Sequence, residues 1–187
     1  MNATEAIFAR RAVRDFTDDP IPDSTVRQLI DAAIQAPSAV NSQPWAFVVI
    51  QDRSLLRDIS ARAADLFRRQ GASEKLLKAI EAPEWNIFYN AANLIIICAR
   101  PEGAHPDWDC CFAAENLLIA ARDRGIGACI IGMAWGALCE PDIKRRLGIP
   151  EDYQVIAPII VGYPKHFPAS PGRKNPEILS WKVAARA

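Results

Sequence analysis

Apolar residues in this chain fall into two kinds of pattern. Trp45–Ile50 (WAFVVI) and Ala92–Ala99 (ANLIIICA) are short unbroken runs rich in aromatic and β-branched residues. Such runs predict buried strands. Gly127–Met133 (GACIIGM) predicts a third strand with its exit turn. Tyr153–Gly162 predicts a fourth, in which Pro158 implies an edge position or a bulge. Elsewhere the apolar positions recur at helical spacing. Thr4 can cap a helix over Glu5–Arg11 with Ile7 and Phe8 inward. Asp23 or Ser24 can cap Thr25–Ala36, with Val26, Leu29, Ile30, Ala33 and Ile34 inward. Leu55–Gln70, Glu74–Ala82, Asp107–Arg124 and Pro141–Leu147 complete the expected helices. Nothing repeats internally.

The helix over Asp107–Arg124 stands apart. Its middle, Cys110–Ala121, is apolar almost all round except at Glu115 and Asn116. A helix apolar on every side must be covered on every side. A subunit interface does this more easily than one small domain, so a dimer is expected.

Three polar or irregular stretches carry candidate chemistry. Pro37–Pro44 sets Ser38, Asn41, Ser42 and Gln43 directly before the first core strand. It reads either as a turn satisfying local backbone groups or as hydrogen-bonding groups offered at the edge of the core. Arg10–Phe16 (RRAVRDF) crowds three arginines around Ala12 and Val13, either as a solvated cationic face or as an anion cradle. Pro83–Asn90 (PEWNIFYN) is aromatic and aperiodic, and reads as a satellite core cluster or, preferably, a lid over a pocket. Beyond Tyr163 the chain is proline-rich, with the pair Arg173–Lys174. Such a tail is either disordered or laid along another surface, and its apolar anchors Ile178, Leu179 and Trp181 favour docking.

Composition narrows the function classes. The 187 residues suit one domain, and half are apolar. The 22 basic and 22 acidic residues balance, so no global field favours nucleic acid or an anionic membrane. The longest apolar run, Leu94–Ala99, is too short to span a bilayer, and Met1–Arg14 has no apolar core of a signal peptide. The five cysteines lack metal-ligand spacing. Cys98, Cys110, Cys111 and Cys129 read as small core residues, which suits a reducing, cytoplasmic compartment. His105 and His166 lie in proline-flanked loops and read as surface residues. No HExxH, GxGxxG or Ser–His–Asp pattern occurs, and no metal site is expected.

Four pieces together, RRAVRDF, APSAVNSQPW, GIGACIIGM and GYP followed by a basic pair, resemble the nitroreductase family of FMN-dependent oxidoreductases over nearly the whole chain. The resemblance implies an α+β fold with a mixed central sheet of four to five strands flanked by helices. Residues 1–163 would form the FMN-binding domain, and residues 164–187 a C-terminal arm embracing a partner subunit. It also implies a homodimer with FMN at the interface. By position, Arg10, Arg11 and Arg14 resemble the cluster that meets the flavin phosphate and pyrimidine edge. Ala12 stands where the family often has Ser, which removes one hydroxyl contact. Pro37, Ser38, Ala39 and Asn41 resemble the loop against the flavin, contributed by the other subunit. Ile131, Gly132 and Met133 resemble the turn whose backbone N–H lies near flavin N5. Arg173, then Lys174, resemble the late phosphate-binding residues. The implied activity passes hydride from NADH or NADPH through the flavin to a nitroaromatic or quinone, with no catalytic side chain, because the cofactor carries the chemistry. Alternatives are a flavin enzyme of dehalogenating or flavin-cleaving type, and a non-catalytic FMN-binding or storage protein.

Overall fold

A computed structural model describes residues 1–183, so the last four residues of the expected arm lie outside the described residues. Four strands form one sheet: β1 (Trp45–Ile50), β2 (Asn93–Ala99), β3 (Gly127–Ile130) and β4 (Gln154–Gly162), in the order β1-β2-β4-β3. All three pairings are antiparallel. The parallel component of the expected mixed sheet is confined to one bridge, Ala12 to Ala128.

β2 explains why the sheet is buried on both faces. Leu94, Ile96 and Cys98 enter one core, while Ile95, Ile97 and Ala99 enter the other. Side chains alternate across a strand, so an unbroken apolar run serves two cores at once. On the first face lie α3 (Arg53–Arg69), α6 (Trp135–Leu138) and α7 (Pro141–Arg146), with α4 (Glu74–Ile80) beside α3. The second face holds α2 (Asp23–Ala33) and α5 (Pro106–Asp123). The remaining helix, α1 (Ala3–Ala9), packs on α5.

β4 lies inside the sheet, and its proline is accommodated by the length of its neighbour. Pro158 O accepts from Ile131 N–H at 2.8 Å, one residue past the end of β3. A residue's N–H and C=O point to the same side of a strand, so the missing donor faces a position where β3 has no acceptor to lose. The expected bulge is present close by, where Ile97 pairs with Ala157 and Cys98 with Val155, skipping Ile156.

Three expectations are corrected. α1 is capped by Asn2 rather than Thr4, because Asn2 and Glu5 close a reciprocal capping box. Its inward residue is Ala6; Ile7 is exposed and Phe8 is 76% exposed. Ile34 also lies outside, since α2 ends at Ala33. Cys111 is not a core residue: α5 turns Cys110 inward and leaves Cys111 exposed beside Trp108 and Phe112. These residues leave apolar surface on α1 and α5 that the subunit itself does not cover.

Candidate functional site

The segment Arg10–Phe16 runs extended along the edge of the sheet. Val13 N–H donates to Ala128 O at 3.1 Å, and Thr17 N–H to Tyr163 O at 2.8 Å. Lys165 N–H donates to Asp15 O at 3.1 Å. Two glycines let the segment lie flush. A Cβ on Gly127 would stand 2.7 Å from Val13 Cγ1, and one on Gly162 would stand 2.6 Å from Phe16 Cδ1. With Val13 and Phe16 committed to the core, the arginines between and before them face outward.

Arg10, Arg11, Ala12 and Arg14 form one wall of a cleft of about 300 Å³. Pro168, Ala169, Pro171 and Arg173 form the other. Four guanidinium groups therefore share a cleft whose lining includes no carboxylate. Arg10 Nε lies 3.3 Å from Glu115 Oε1 on α5. Arg11 Nη1 donates to Phe8 O at 2.8 Å and to Arg10 O at 2.6 Å, while its buried Nε has no partner among the described residues. Lys174 follows Arg173 but does not line the cleft. The arm is steered at its root by Phe167, whose ring lies 3.7 Å beneath the Arg122 guanidinium at the end of α5.

Arg14 also belongs to a second cleft, of about 310 Å³, lined by Asp15, by Met133 and by residues of Pro83–Asn90. That irregular segment is a satellite core and a cleft wall at once. Ile87 and Phe88 are buried, and Ile87 N–H donates to Ser60 Oγ at 3.0 Å. Glu84, Trp85, Tyr89 and Asn90 line the cleft, and the Arg14 guanidinium lies 5.7 Å from the Tyr89 ring centroid.

At the exit of β3 the three predicted residues separate. Ile131 is buried, and its N–H is used by Pro158. Gly132 and Met133 are exposed and open a 3₁₀ turn, so their N–H groups are the ones without an intrahelical acceptor. A Cβ on Gly132 would meet nothing within 4 Å.

The loop Pro37–Pro44 lines neither cleft. It is nevertheless rigidly specified. Val40, Asn41 and Gln43 have φ of 48°, 58° and 46°. A β-branched residue in this region costs about 1–2 kcal/mol, so surrounding contacts must impose it. Ser38 Oγ accepts from Gln43 N–H at 3.0 Å, and Arg100 Nη2 donates to Gln43 O at 2.7 Å. Asp109, buried in the first turn of α5, accepts from Ala39 N–H at 3.2 Å and from Ser42 Oγ at 3.3 Å. The sequence offered no local sign of this role, since Asp109 reads there as one more acidic residue in a helix's first turn. Its partners lie about 70 positions away. The outcome is a braced corner that presents Asn41 and the 95% exposed Val40 away from the subunit.

The thiols take no part in either cleft. Burial pushes Cys98 up to about 11 and Cys110 up to about 12. Among the described residues no His/Cys/Asp/Glu group could hold a metal, and no helix is long and apolar enough to cross a membrane.

Comparison with known proteins agrees in one direction. The profile of the Nitroreductase family matches residues 7–163. A relative from Archaeoglobus fulgidus, provisionally named an NADH dehydrogenase/NAD(P)H nitroreductase, is 33% identical over 179 residues, spanning 91% of this chain and 92% of its own. A 5,6-dimethylbenzimidazole synthase from Rhodospirillum rubrum is 32% identical over 179 residues, spanning 86% and 82%. Among solved structures, an FMN-bound nitroreductase from Bacteroides fragilis superposes with a TM-score of 0.81 at 25% identity, covering 99% of this chain and 100% of that one.

Proposed function

Because this chain belongs to the nitroreductase family, we propose that it is an FMN-dependent oxidoreductase that passes two electrons from NADH or NADPH to a nitroaromatic, quinone or similar acceptor. The observation that carries this is the cleft where Arg10, Arg11, Arg14 and Arg173 meet with no lining carboxylate. Guanidinium forks match a phosphate dianion, and the orphaned Arg11 Nε is a buried donor awaiting an acceptor. The donor set thus fits FMN. When bound, FMN supplies the acceptance and release of a hydride equivalent. The balance is NAD(P)H plus a proton plus quinone giving NAD(P)⁺ plus hydroquinone.

Each residue then has a task. Arg10, Arg11 and Arg173 hold the phosphate, with Lys174 adding charge from outside. Ala12 offers backbone and no hydroxyl. Arg14, shared by both clefts, sets positive charge beside the pyrimidine edge. Gly132 and Met133 would offer their N–H groups to the reacting edge of the ring, with Ile131 buried beside them. Pro37, Ser38, Ala39 and Asn41 close the site from a partner subunit, for which their bracing by Asp109 prepares them.

Exposed apolar surface supports reading the protein as a homodimer. Phe8, Val40, Trp108 and Phe112 are exposed on one subunit, and Leu179 and Trp181 extend from it without cover. Burying such side chains is worth about 1.5–3 kcal/mol each. Residues 164–183 would belong to the embracing arm. A cytoplasmic location suits the unpaired buried thiols.

The test is direct. The purified protein should be a dimer, should take up FMN, and should bleach with NAD(P)H under nitrogen and regain colour with a quinone. Failure to bind FMN, or bound FMN that NAD(P)H does not bleach, would overturn the assignment. The 32% identity with the 5,6-dimethylbenzimidazole synthase favours a second reading, a benzimidazole-forming synthase in place of an acceptor reductase. Many acceptor turnovers per FMN would exclude it.

A further inference from the structure

We infer that the cleft shared by Arg14 and Met133 prefers cationic or neutral aromatic acceptors over anionic ones, and that Glu84 sets this preference, an inference that rests on the flavoenzyme function proposed above. The two clefts meet at Arg14 and differ sharply in charge. One is lined by four arginines and no carboxylate. The other sets Asp15 and Glu84 against Arg14 alone. Asp15 is neutralised by Lys165, whose Nζ lies 2.9 Å from its carboxylate. Glu84 has no ion pair or hydrogen bond among the described residues, and Arg14, the other unpaired charge of this cleft, is the one assigned above to the flavin, which leaves the Glu84 carboxylate to face the approach.

The surroundings extend the same field outward. A wider cleft of about 700 Å³ adjoins the first, sharing Glu84, Trp85, Asn86 and Asn90. Its Arg68 is already paired, Nη1 to Asp65 Oδ1 at 2.7 Å. The charges left unpaired along it are Arg57 against Glu81 and Glu84. With two carboxylates against one guanidinium left unpaired, this approach is net negative and favours an incoming cation over an anion.

Shape and rigidity complete the case. Trp85 and Tyr89 supply aromatic walls for a flat molecule. Tyr89 and Asn90 hold φ of 53° and 55°, a strained pair fixed by Tyr89 N–H donating to Asn86 O at 2.9 Å. The neighbouring Ile87 and Phe88 anchor the segment in the core. With Asn86–Asn90 so braced, the aromatic wall next to Glu84 has little freedom to move away from the carboxylate.

The experiment uses the full chain loaded with FMN and three nitroaromatics of similar size: 4-nitrobenzyl-trimethylammonium, 4-nitrobenzyl alcohol and 4-nitrobenzylsulfonate. Each is reduced to the nitroso product with one NAD(P)H and one proton consumed and one water released. The ratio of kcat/KM for the cation to that for the anion is compared between wild type and Glu84→Gln, which cancels intrinsic reactivity and flavin content. The substitution should lower the ratio by about ten-fold at low ionic strength, and high salt should bring the wild-type ratio toward the variant's. An unchanged ratio in Glu84→Gln, with the alcohol still reduced by wild type, overturns the inference alone. No reduction of the alcohol by FMN-loaded wild type overturns the flavoenzyme function and this inference with it.

Discussion

Arg10 and Arg173 face each other across one cleft, although they stand near opposite ends of the chain. Their approach is imposed by the backbone between Asp15 and Lys165, which ties the N-terminal segment to the exit of β4. If the cleft holds a phosphate, Arg173→Ala should weaken FMN binding by about 10- to 100-fold, as expected for one lost charge-assisted bond. Riboflavin, which lacks the phosphate, should bind both proteins alike. Titration of flavin fluorescence separates the two. Equal losses for FMN and riboflavin would mean that Arg173 acts on the ring or on the fold, not on phosphate.

The seating of Val13 and Phe16 on bare backbone gives a second expectation. Gly162→Ala would set a methyl group 2.6 Å from Phe16 Cδ1, with Phe16 enclosed by core. Overpacking of this kind costs about 1–3 kcal/mol. Urea unfolding should show that loss, and FMN affinity should fall with it because the arginines ride on the displaced segment. Trimming the ring in Gly162→Ala/Phe16→Leu should restore part of both. Affinity that stays at the wild-type value while stability drops would disconnect the seat from the cleft.

Much of this was legible in sequence, and the remainder has a common cause. The bounds of β1 agree with the apolar run WAFVVI, because a strand buried at both ends advertises itself locally. The arginine cluster was visible for the same reason. The misreadings concern the phase and the partner of an element. Ile7, Phe8 and Cys111 are apolar residues on helices whose inward face is set by Ala6, Cys110 and Ala113. Hydrophobicity on both sides of a helix leaves its rotation undetermined. Asp109 and the glycines at 127 and 162 matter through contacts distant in sequence, which no local pattern encodes.

The stack of Arg122 on Phe167 predicts a coupling between the arm and the site. A cation–π contact at 3.7 Å is worth about 0.5–2 kcal/mol. Phe167→Leu should speed FMN release, since Arg173 follows a few residues later on the same arm. Arg122→Ala should do the same, and the double variant should be no worse than either alone. Additive effects in stopped-flow release would show that the two residues act separately. Phe167→Tyr should retain the wild-type rate.

The buried thiols make a prediction about pH. Cys98 is held near 11 and Cys110 near 12 by burial, against an ordinary value of 9.0. The folded state therefore keeps protons that the unfolded chain gives up first. Their contribution to stability is complete below pH 9 and is lost as pH rises from about 9 toward about 11 and 12. Denaturant midpoints should fall across that window, and a Cys98→Ala/Cys110→Ala protein, less stable at pH 8 from lost packing, should fall less. Reactivity gives the independent check. Thiolate is the nucleophile, so both should resist alkylation at pH 8 in the native protein. Cys111, exposed on the isolated subunit beside Trp108 and Phe112, should react when subunits are separated and be shielded when they pair. Mass-spectrometric mapping of the labelled cysteine, at protein concentrations above and below the dissociation constant of the dimer, reads both effects. Labelling of Cys111 at the same rate at both concentrations would place the subunit contact elsewhere than on the outer face of α5.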